Sequence, residues 1–411
     1  VDEIRVIVGY GEKLVRSLVE PMGAVCMTQS QQLGTADAVR SAQPDTIEGD
    51  VIILNGDHPL LRAQELKTLL AEFREGNDYL SVVTCELKNP KSFGRIVRHQ
   101  GALKAIVEAK DASAETLKIK EVNTGIYLVK ADILKQNLKE IKNNNSKGEY
   151  YLTDLISICN DKNQSVGAIR STRRVAFGVN SQEELAKASQ VAFLTKAKNL
   201  MNSGVIIVDP KNTYIEDTVE IGEATVVYPG VYIRGNTKIG KYAVIESNSV
   251  IQNSTLADGV VVKAMSHLEE SVVAHKAQLG PYARLRPGAD IGEDVRIGNF
   301  VEIKKAKLGK GTKVGHLSYL GDAELGRDVN VGCGTITCNY AVDKKKYKTK
   351  IGDNVFVGSD TQFVAPVEIG DEVIIGSGST ITKDVPAKSL AVARAKQIIK
   401  ENYKPKKKLK D

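Results

Sequence analysis

Residues 215 to 251 read IEDTVEIGEATVVYPGVYIRGNTKIGKYAVIESNSVI. Ile215, Ile221, Val227, Ile233, Ile239, Ile245 and Ile251 recur every sixth position. If about a quarter of positions are Ile, Leu or Val, seven in register arise by chance on the order of once in ten thousand per frame. A period of six is a hexapeptide repeat, which builds a parallel β-helix from short strands joined by turns. The aliphatic points inward and stacks on its copy in the next coil. The register is interrupted after Ile251 and resumes at Leu279, Leu285, Ile291, Ile297 and Ile303, then at Ile351, Val357, Phe363, Ile369, Ile375 and Ile381.

The repeat is scaffolding, so its breaks carry the information about function. The longest is Cys338 to Lys350, CNYAVDKKKYKTK, polar and rich in lysine. A solenoid accommodates such an insertion as a loop projecting from one face. Chemistry-bearing side chains concentrate around it: Arg284, Arg286, Lys304, Lys305, His316, Tyr319, Asn330, Asn339, Tyr340 and Lys346. His316 falls in Gly315-His316-Leu317-Ser318-Tyr319, inside what reads as a coil break. It is either a structural imidazole or a general base beside an anion-binding patch. The cations read as a phosphate clamp or as a solvated charged face. His267, His275 and His316 are the only histidines here that a zinc site could use, and their spacing has no ligand pattern.

Upstream, strand-like and helix-like stretches alternate. Glu3 to Gly9, Val51 to Leu54, Tyr79 to Cys85 and Val122 to Val129 read as strands, and Leu66, Leu69, Leu70 and Phe73 line one helix face. Such alternation predicts a parallel sheet covered on both faces. Ligands bind beyond the carboxyl ends of strands in such sheets, which makes Asp57 either a metal- or phosphate-side residue or a turn aspartate. Ser181 and Glu184 form a capping-box pattern at the head of a helix ending near Gly204.

The 411 residues are 42% hydrophobic and 26% charged, which excludes a disordered or collagen-like chain. No apolar stretch approaches the ~18 residues of a spanning helix, so no membrane insertion is expected. Net charge is +7, but Lys396 to Asp411 hold seven Lys against Glu401 and Asp411. The folded part is thus near neutral, and a nucleic-acid surface is not expected. The tail reads as a solvated end or a weak anion contact. Five cysteines without a CxxC are no disulfide framework, which fits a reducing cytoplasm.

Longer motifs identify a resemblance. GPYARLRPGADIG from Gly280, GNFVEIKKAKLGKGTKVGHLSYLGDAELG from Gly298, GCGTITCNY from Gly332 and VFVGSDTQFVAPVEIG from Val355 resemble the bifunctional N-acetylglucosamine-1-phosphate uridylyltransferase / glucosamine-1-phosphate acetyltransferase family. QSQQLGT at Gln29, NGDHPL at Asn55, FGRIV at Phe93, IVEAKDA at Ile106, EVNTG at Glu121, GEYYLTD at Gly148 and GVN at Gly178 extend it over nearly the whole chain.

The resemblance implies a Rossmann-like α/β nucleotidyltransferase domain followed by a left-handed parallel β-helix, in a cytoplasmic homotrimer. It implies acetyl transfer from acetyl-CoA to glucosamine 1-phosphate, then uridylyl transfer from UTP with Mg²⁺. By resemblance, His316 is the general base. Arg286, Lys304, Tyr319, Asn330 and Lys346 are sugar-phosphate ligands. Cys333, Asn339, Tyr340, Ser359, Ser377 and Arg394 occupy acetyl-CoA positions. Gln29, Gln32, Gly34 and Thr35 resemble the uracil-reading segment. Asn55, Gly56, Asp57, Gly94, Glu108, Asn123, Thr153 and Asn180 resemble the remaining nucleotide-sugar positions, with Asp57 and Asn180 as metal ligands.

This sequence departs from the family in places. Asn55 stands where Tyr is usual, Cys333 and Ser377 replace small Ala-like positions, and the insertion is one residue longer before Lys346. The chain opens on Val1, after the family's first strand and Gly-rich phosphate loop, and reads as a fragment. The expectation is an incomplete uridylyltransferase domain over 1–180 with impaired transfer, a linker helix over 181–204, an acetyltransferase β-helix over 205–385 and a C-terminal segment over 386–411. A rival reading is a single-function sugar-nucleotide pyrophosphorylase whose β-helix only assembles the oligomer.

Overall fold

The computed structural model describes residues 1–404, so the last lysines of the tail lie outside the described residues. The chain divides into two compact units, one over Val1–Ala188 and one from Ser189 onward.

The first unit contains β1 (Arg5–Val8), β2 (Val25–Thr28), β3 (Asp50–Ile53), β4 (Leu80–Glu86), β5 (Arg95–His99), β6 (Ala102–Val107), β7 (Glu121–Lys130) and β8 (Val166–Arg170). Its helices are α1 (Glu12–Val19), α2 (Thr35–Ser41), α3 (Ala63–Glu75), α4 (Ala114–Leu117), α5 (Ala131–Asn137) and α6 (Asp154–Asp161), and α7 (Gln182–Asn202) follows. β1 and β2 pair in parallel as a separate two-stranded sheet. The larger sheet runs β6-β5-β7-β4-β8, with β3 also on β7. It is mixed, not parallel as the alternation of elements predicts. β7 lies antiparallel to β3, β4 and β5, and only β4 and β8 pair in parallel. Element order could not show this, because β5 and β6 form a tight hairpin without an intervening helix.

Both faces of that sheet are covered, as expected. Successive residues of β7 point to opposite sides: Tyr127 and Val129 join one core cluster, and Ile126 and Leu128 join the other with Leu69 and Phe73 of α3. The buried Glu121 carboxylate is held below the usual carboxylate range, first by Arg98, which donates to it at 2.7 and 2.9 Å.

From Ile206 the chain winds through three parallel sheets of 11, 10 and 9 short strands. They form the three faces of a left-handed β-helix. We call them first, second and third in the order each coil visits them, starting with Ile206–Ile207, Tyr214–Ile215 and Glu220–Ile221. On the second face the inward ladder is Ile215, Ile233, Ile251, Leu268, Leu285, Ile303 and Leu320. Thr337 takes the next rung, nearly fully buried, and its hydroxyl bonds both the N–H and the carbonyl of Gly321.

The ladder explains the interrupted register. Steps Ile251–Leu256, Leu268–Val273, Ile303–Leu308 and Leu320–Leu325 are one residue short, all at the corner between second and third faces. There a single left-handed residue turns the chain: Asn253, Glu270, Lys305 and Asp322, with φ of 46, 43, 45 and 47°. The long insertion occupies this same corner one coil later, between strands Ile336–Cys338 and Thr349–Ile351. The coils run on to a last strand, Leu390–Ala391.

Ser181 caps α7 by accepting from the Glu184 N–H at 3.2 Å, while the Glu184 carboxylate accepts from the Asn180 N–H at 2.8 Å. Ala197 and Leu200 of α7 join the β-helix core, closing the end of a stack that would otherwise expose it. Ile303 is fully buried in mid-stack. Ile303→Ala is expected to cost about 2–5 kcal/mol, read as a lowered denaturation midpoint of the β-helix.

Candidate functional site

The corner between first and second faces repeats with one geometry. Each turn carries one left-handed residue: Asn248, Met265, Tyr282, Phe300, Leu317, Gly334, Asp360 and Gly378. The residues just before the later ones are Asn299, His316, Cys333, Ser359 and Ser377. They stack coil on coil, and at three of the steps the following residue donates back to the coil before: Leu317 to Asn299, Asp360 to Cys333, Gly378 to Ser359. Arg394 extends the column and donates to the Ser377 carbonyl at 2.7 Å. At about 4.8 Å per strand spacing, His316 to Arg394 spans about 19 Å. His316 therefore lies in a regular coil, at the end of strand Lys313–His316, and not in a break.

The coil above supplies its partner. Asn299 pairs with His316 in register, and Oδ1 of Asn299 is 2.6 Å from Nδ1 of His316. With the amide so assigned, Nδ1–H donates and Nε2 is left as an acceptor at an exposed corner. Sequence inspection missed Asn299. The signal was there, since Gly298-Asn299-Phe300 occupies the frame of Gly315-His316-Leu317 one coil earlier. The close stacking of these turns also demands glycine: a Cβ on Gly298 would run into the carbonyl of Gly315.

The outward positions of the second face hold the cations. Arg286 donates to Glu302 at 2.7 Å, and Arg284 lies 3.5 Å from the same carboxylate. Lys304 has no acidic partner among the described residues. Arg286 first, then Lys346, depress its pKa by crowding it with like charge. A cation held in such company is relieved by an anion, which is what a phosphate site requires. The Tyr319 hydroxyl lies over Gly321, two residues on in the same strand. Tyr340 and Lys346 face each other across the base of the insertion.

Two expected ligands lie apart from this cluster. Asn330 is exposed on the first face. Asn339 is buried at the root of the loop, where its Nδ2 donates to Asp322 at 2.5 Å and its carbonyl accepts from Tyr347. Its side chain thus anchors the loop within the chain. Asp322 went unnoticed in the sequence because it looks like any turn aspartate.

In the first unit, the segment over 29–35 docks on 149–152. Leu152 N–H donates to the Thr35 hydroxyl at 3.0 Å, and the Gln29 amide donates to Asp37 at 2.8 Å. Gly34, at φ 116°, lies against the Tyr150 backbone, and Gln32 against Gly9. Gly94 accepts from Asn123 N–H at 2.9 Å and abuts Glu108. Asn123 Nδ2 donates to the buried Tyr127 hydroxyl at 2.8 Å, and Asn55 packs on Gly125. Thr153 is buried at the head of α6. Beyond β3 and Gly56, the Asp57 carbonyl accepts from Val179 N–H at 2.9 Å, stapling Asp57 to the segment that ends in Asn180.

The comparisons with known proteins agree with this layout. Nucleotidyl transferase matches residues 9–173, the GMPPB C-terminal domain 210–296, and the bacterial transferase hexapeptide (six repeats) 348–383. The Bifunctional protein GlmU of Bdellovibrio bacteriovorus is 62% identical over 404 residues, covering 98% of this chain and 88% of its own. This chain belongs to the GlmU family. GlmU of Shouchella clausii is 43% identical over 98% of this chain and 89% of its own, and that of Pelobacter propionicus 43% over 97% and 87%. Like the family, the chain is a two-activity transferase of UDP-N-acetylglucosamine synthesis, a uridylyltransferase and an acetyltransferase. Its substrates are nucleotides and sugar phosphates, and no described helix is long and apolar enough to cross a membrane.

Burial raises the pKa of Glu108, and Asp111, Asp154 and Glu149 add to it against Lys147. The folded carboxyl therefore keeps its proton to higher pH than the unfolded one, whose value is near 4.5. Stability then falls as pH rises through that window. Glu108→Gln is expected to raise the melting temperature of this unit at pH 7 and leave it unchanged below about pH 4, as followed by calorimetry.

Proposed function

We propose that the β-helix unit transfers acetyl from acetyl-CoA to glucosamine 1-phosphate with His316 as general base. The observation that carries this is the 2.6 Å contact between His316 Nδ1 and Asn299 Oδ1 at the head of a column of small side chains. Asn299 fixes the tautomer, so Nε2 is free to accept a proton from the attacking amine. The amine nitrogen bonds to the thioester carbon, the C–S bond breaks, and the CoA sulfur leaves as thiolate and is protonated. Arg286, Lys304 and Lys346 hold the sugar phosphate, with Tyr319 beside it. Cys333, Ser359 and Ser377 leave room for the pantetheine arm, and Arg394 meets the far end of the cofactor.

The site works in a homotrimer. Asn330 on the first face cannot join the second-face cations within one chain, and a neighbouring β-helix would supply it. Met265, Tyr282, Phe300 and Leu317 form an exposed apolar ridge along the same edge, with Tyr282 and Phe300 stacked at 5.3 Å. Such a ridge suits burial against a second copy.

The first unit joins N-acetylglucosamine 1-phosphate to UTP in the cytoplasm. Gln29, Gln32, Gly34 and Thr35 read the uracil, while Gly94, Glu108, Asn123 and Thr153 hold the sugar. A sugar-phosphate oxygen bonds to the α-phosphorus as the bond to pyrophosphate breaks. Asp57 and Asn180 offer few, hard oxygen donors next to a phosphate position, which fits Mg²⁺, since it takes one or two carboxylates and fills its shell with water and phosphates. Bound there, the ion would neutralise triphosphate charge.

A thiol-release assay with acetyl-CoA and glucosamine 1-phosphate tests the acetyl half. Wild type should release CoA only with the amino sugar. His316→Ala should lose about 10²- to 10⁴-fold in turnover and keep acetyl-CoA binding. Lys304→Ala should instead raise KM for the sugar phosphate about tenfold or more. Full turnover by His316→Ala would overturn the assignment.

A further inference from the structure

The residue after Asp57 has no role in the scheme above. His58 follows the candidate metal ligand directly, and its side chain is only 7% exposed. Its Nδ1 is buried with no hydrogen-bond partner among the described residues. A buried imidazole nitrogen left unsatisfied is unfavourable and uncommon in folded proteins. Its Nε2 lies 3.7 Å from Asp57 Oδ1, too far for a hydrogen bond. Yet Asp57 and His58 converge on one spot. A Cβ added to Gly178 would meet Asp57 Oδ2 and His58 Nε2 at 3.2 Å each. Gly178 is two residues before Asn180, in the segment stapled to the Asp57 backbone. The absence of a side chain at Gly178 keeps the space beside both donors open.

We propose that His58 is a nitrogen ligand of the divalent ion at Asp57, and that it biases this site from Mg²⁺ toward Mn²⁺ and Co²⁺. The proposal rests on Asp57 being a metal ligand. Mg²⁺ takes oxygen donors almost exclusively, whereas imidazole favours the later first-row ions. A carboxylate and an imidazole from adjacent residues, both facing one glycine, form a mixed donor set of that kind. Ligation through Nε2 would give this buried imidazole a partner on the side that faces Asp57.

The test uses the full chain with Mn²⁺ alone as probe, followed by electron-spin-echo spectroscopy and by competition with Mg²⁺. The expected result is nitrogen modulation from a directly bound imidazole, altered when histidine is isotopically labelled. His58→Leu should abolish it and weaken Mn²⁺ about tenfold or more, while Mg²⁺ affinity changes less than about threefold. Melting without metal checks that His58→Leu folds, and the labelled wild type answers the question without a variant. If Mn²⁺ binding depends on Asp57 (lost in Asp57→Asn) but shows no nitrogen modulation, His58 is not a ligand and the reading of Asp57 stands. If Asp57→Asn leaves Mn²⁺ binding unchanged, the reading of Asp57 falls and this proposal with it.

Discussion

Everything in the larger unit depends on one contact repeated along its axis: an aliphatic side chain resting on its equivalent in the next coil. Each strand is two to four residues long, far too short to persist alone. Burying one Ile or Val per strand contributes about 1.5–3 kcal/mol, and the interstrand hydrogen bonds then form where water is excluded. Inward residues are therefore restricted, while corner residues are free to vary within the demands of the turn. The column that starts at Asn299 is built from corners for that reason. Asn299, His316, Cys333, Ser359 and Ser377 owe their alignment to the ladder beneath them and to the hydrogen bonds between successive turns.

The electrostatics follow the same division. Across the second face, one carboxylate, Glu302, serves Arg284 and Arg286. Elsewhere along the stack cations meet acids rung against rung, as in Lys241–Glu223, Lys310–Glu293 and Lys350–Glu368. Charge is thus balanced where coils only stack and left in excess around Lys304. That imbalance costs stability, and an anion bound there would offset it.

Much of this was legible in the sequence, and the limits have physical causes. A period of six survives any reading because the inward position repeats at fixed spacing. The interruptions read as breaks, since a corner one residue shorter shifts the frame while leaving the fold intact. The mixed sheet of the first unit was not legible, because strand direction is set by tertiary pairing and leaves no local pattern. Site residues with distinctive chemistry, such as His316 and Lys304, stood out in the sequence. Asn299 and Asp322 did not, because their work is to hold another side chain, and any turn uses the same residue types. His58 was hidden by its neighbour Asp57, and only its burial singles it out.

The column from His316 to Arg394 has a further consequence. Its length is counted in coils, and a coil is indivisible. A substitution can change what lines the column but cannot move its two ends closer or farther apart. A single inserted residue would be absorbed as a bulge at a corner. Only the gain or loss of a whole turn of some 17 or 18 residues (the steps from Leu268 to Leu285 and from Leu285 to Ile303) would alter the span. The distance between His316 and Arg394 is therefore quantised, and drift in sequence leaves it untouched.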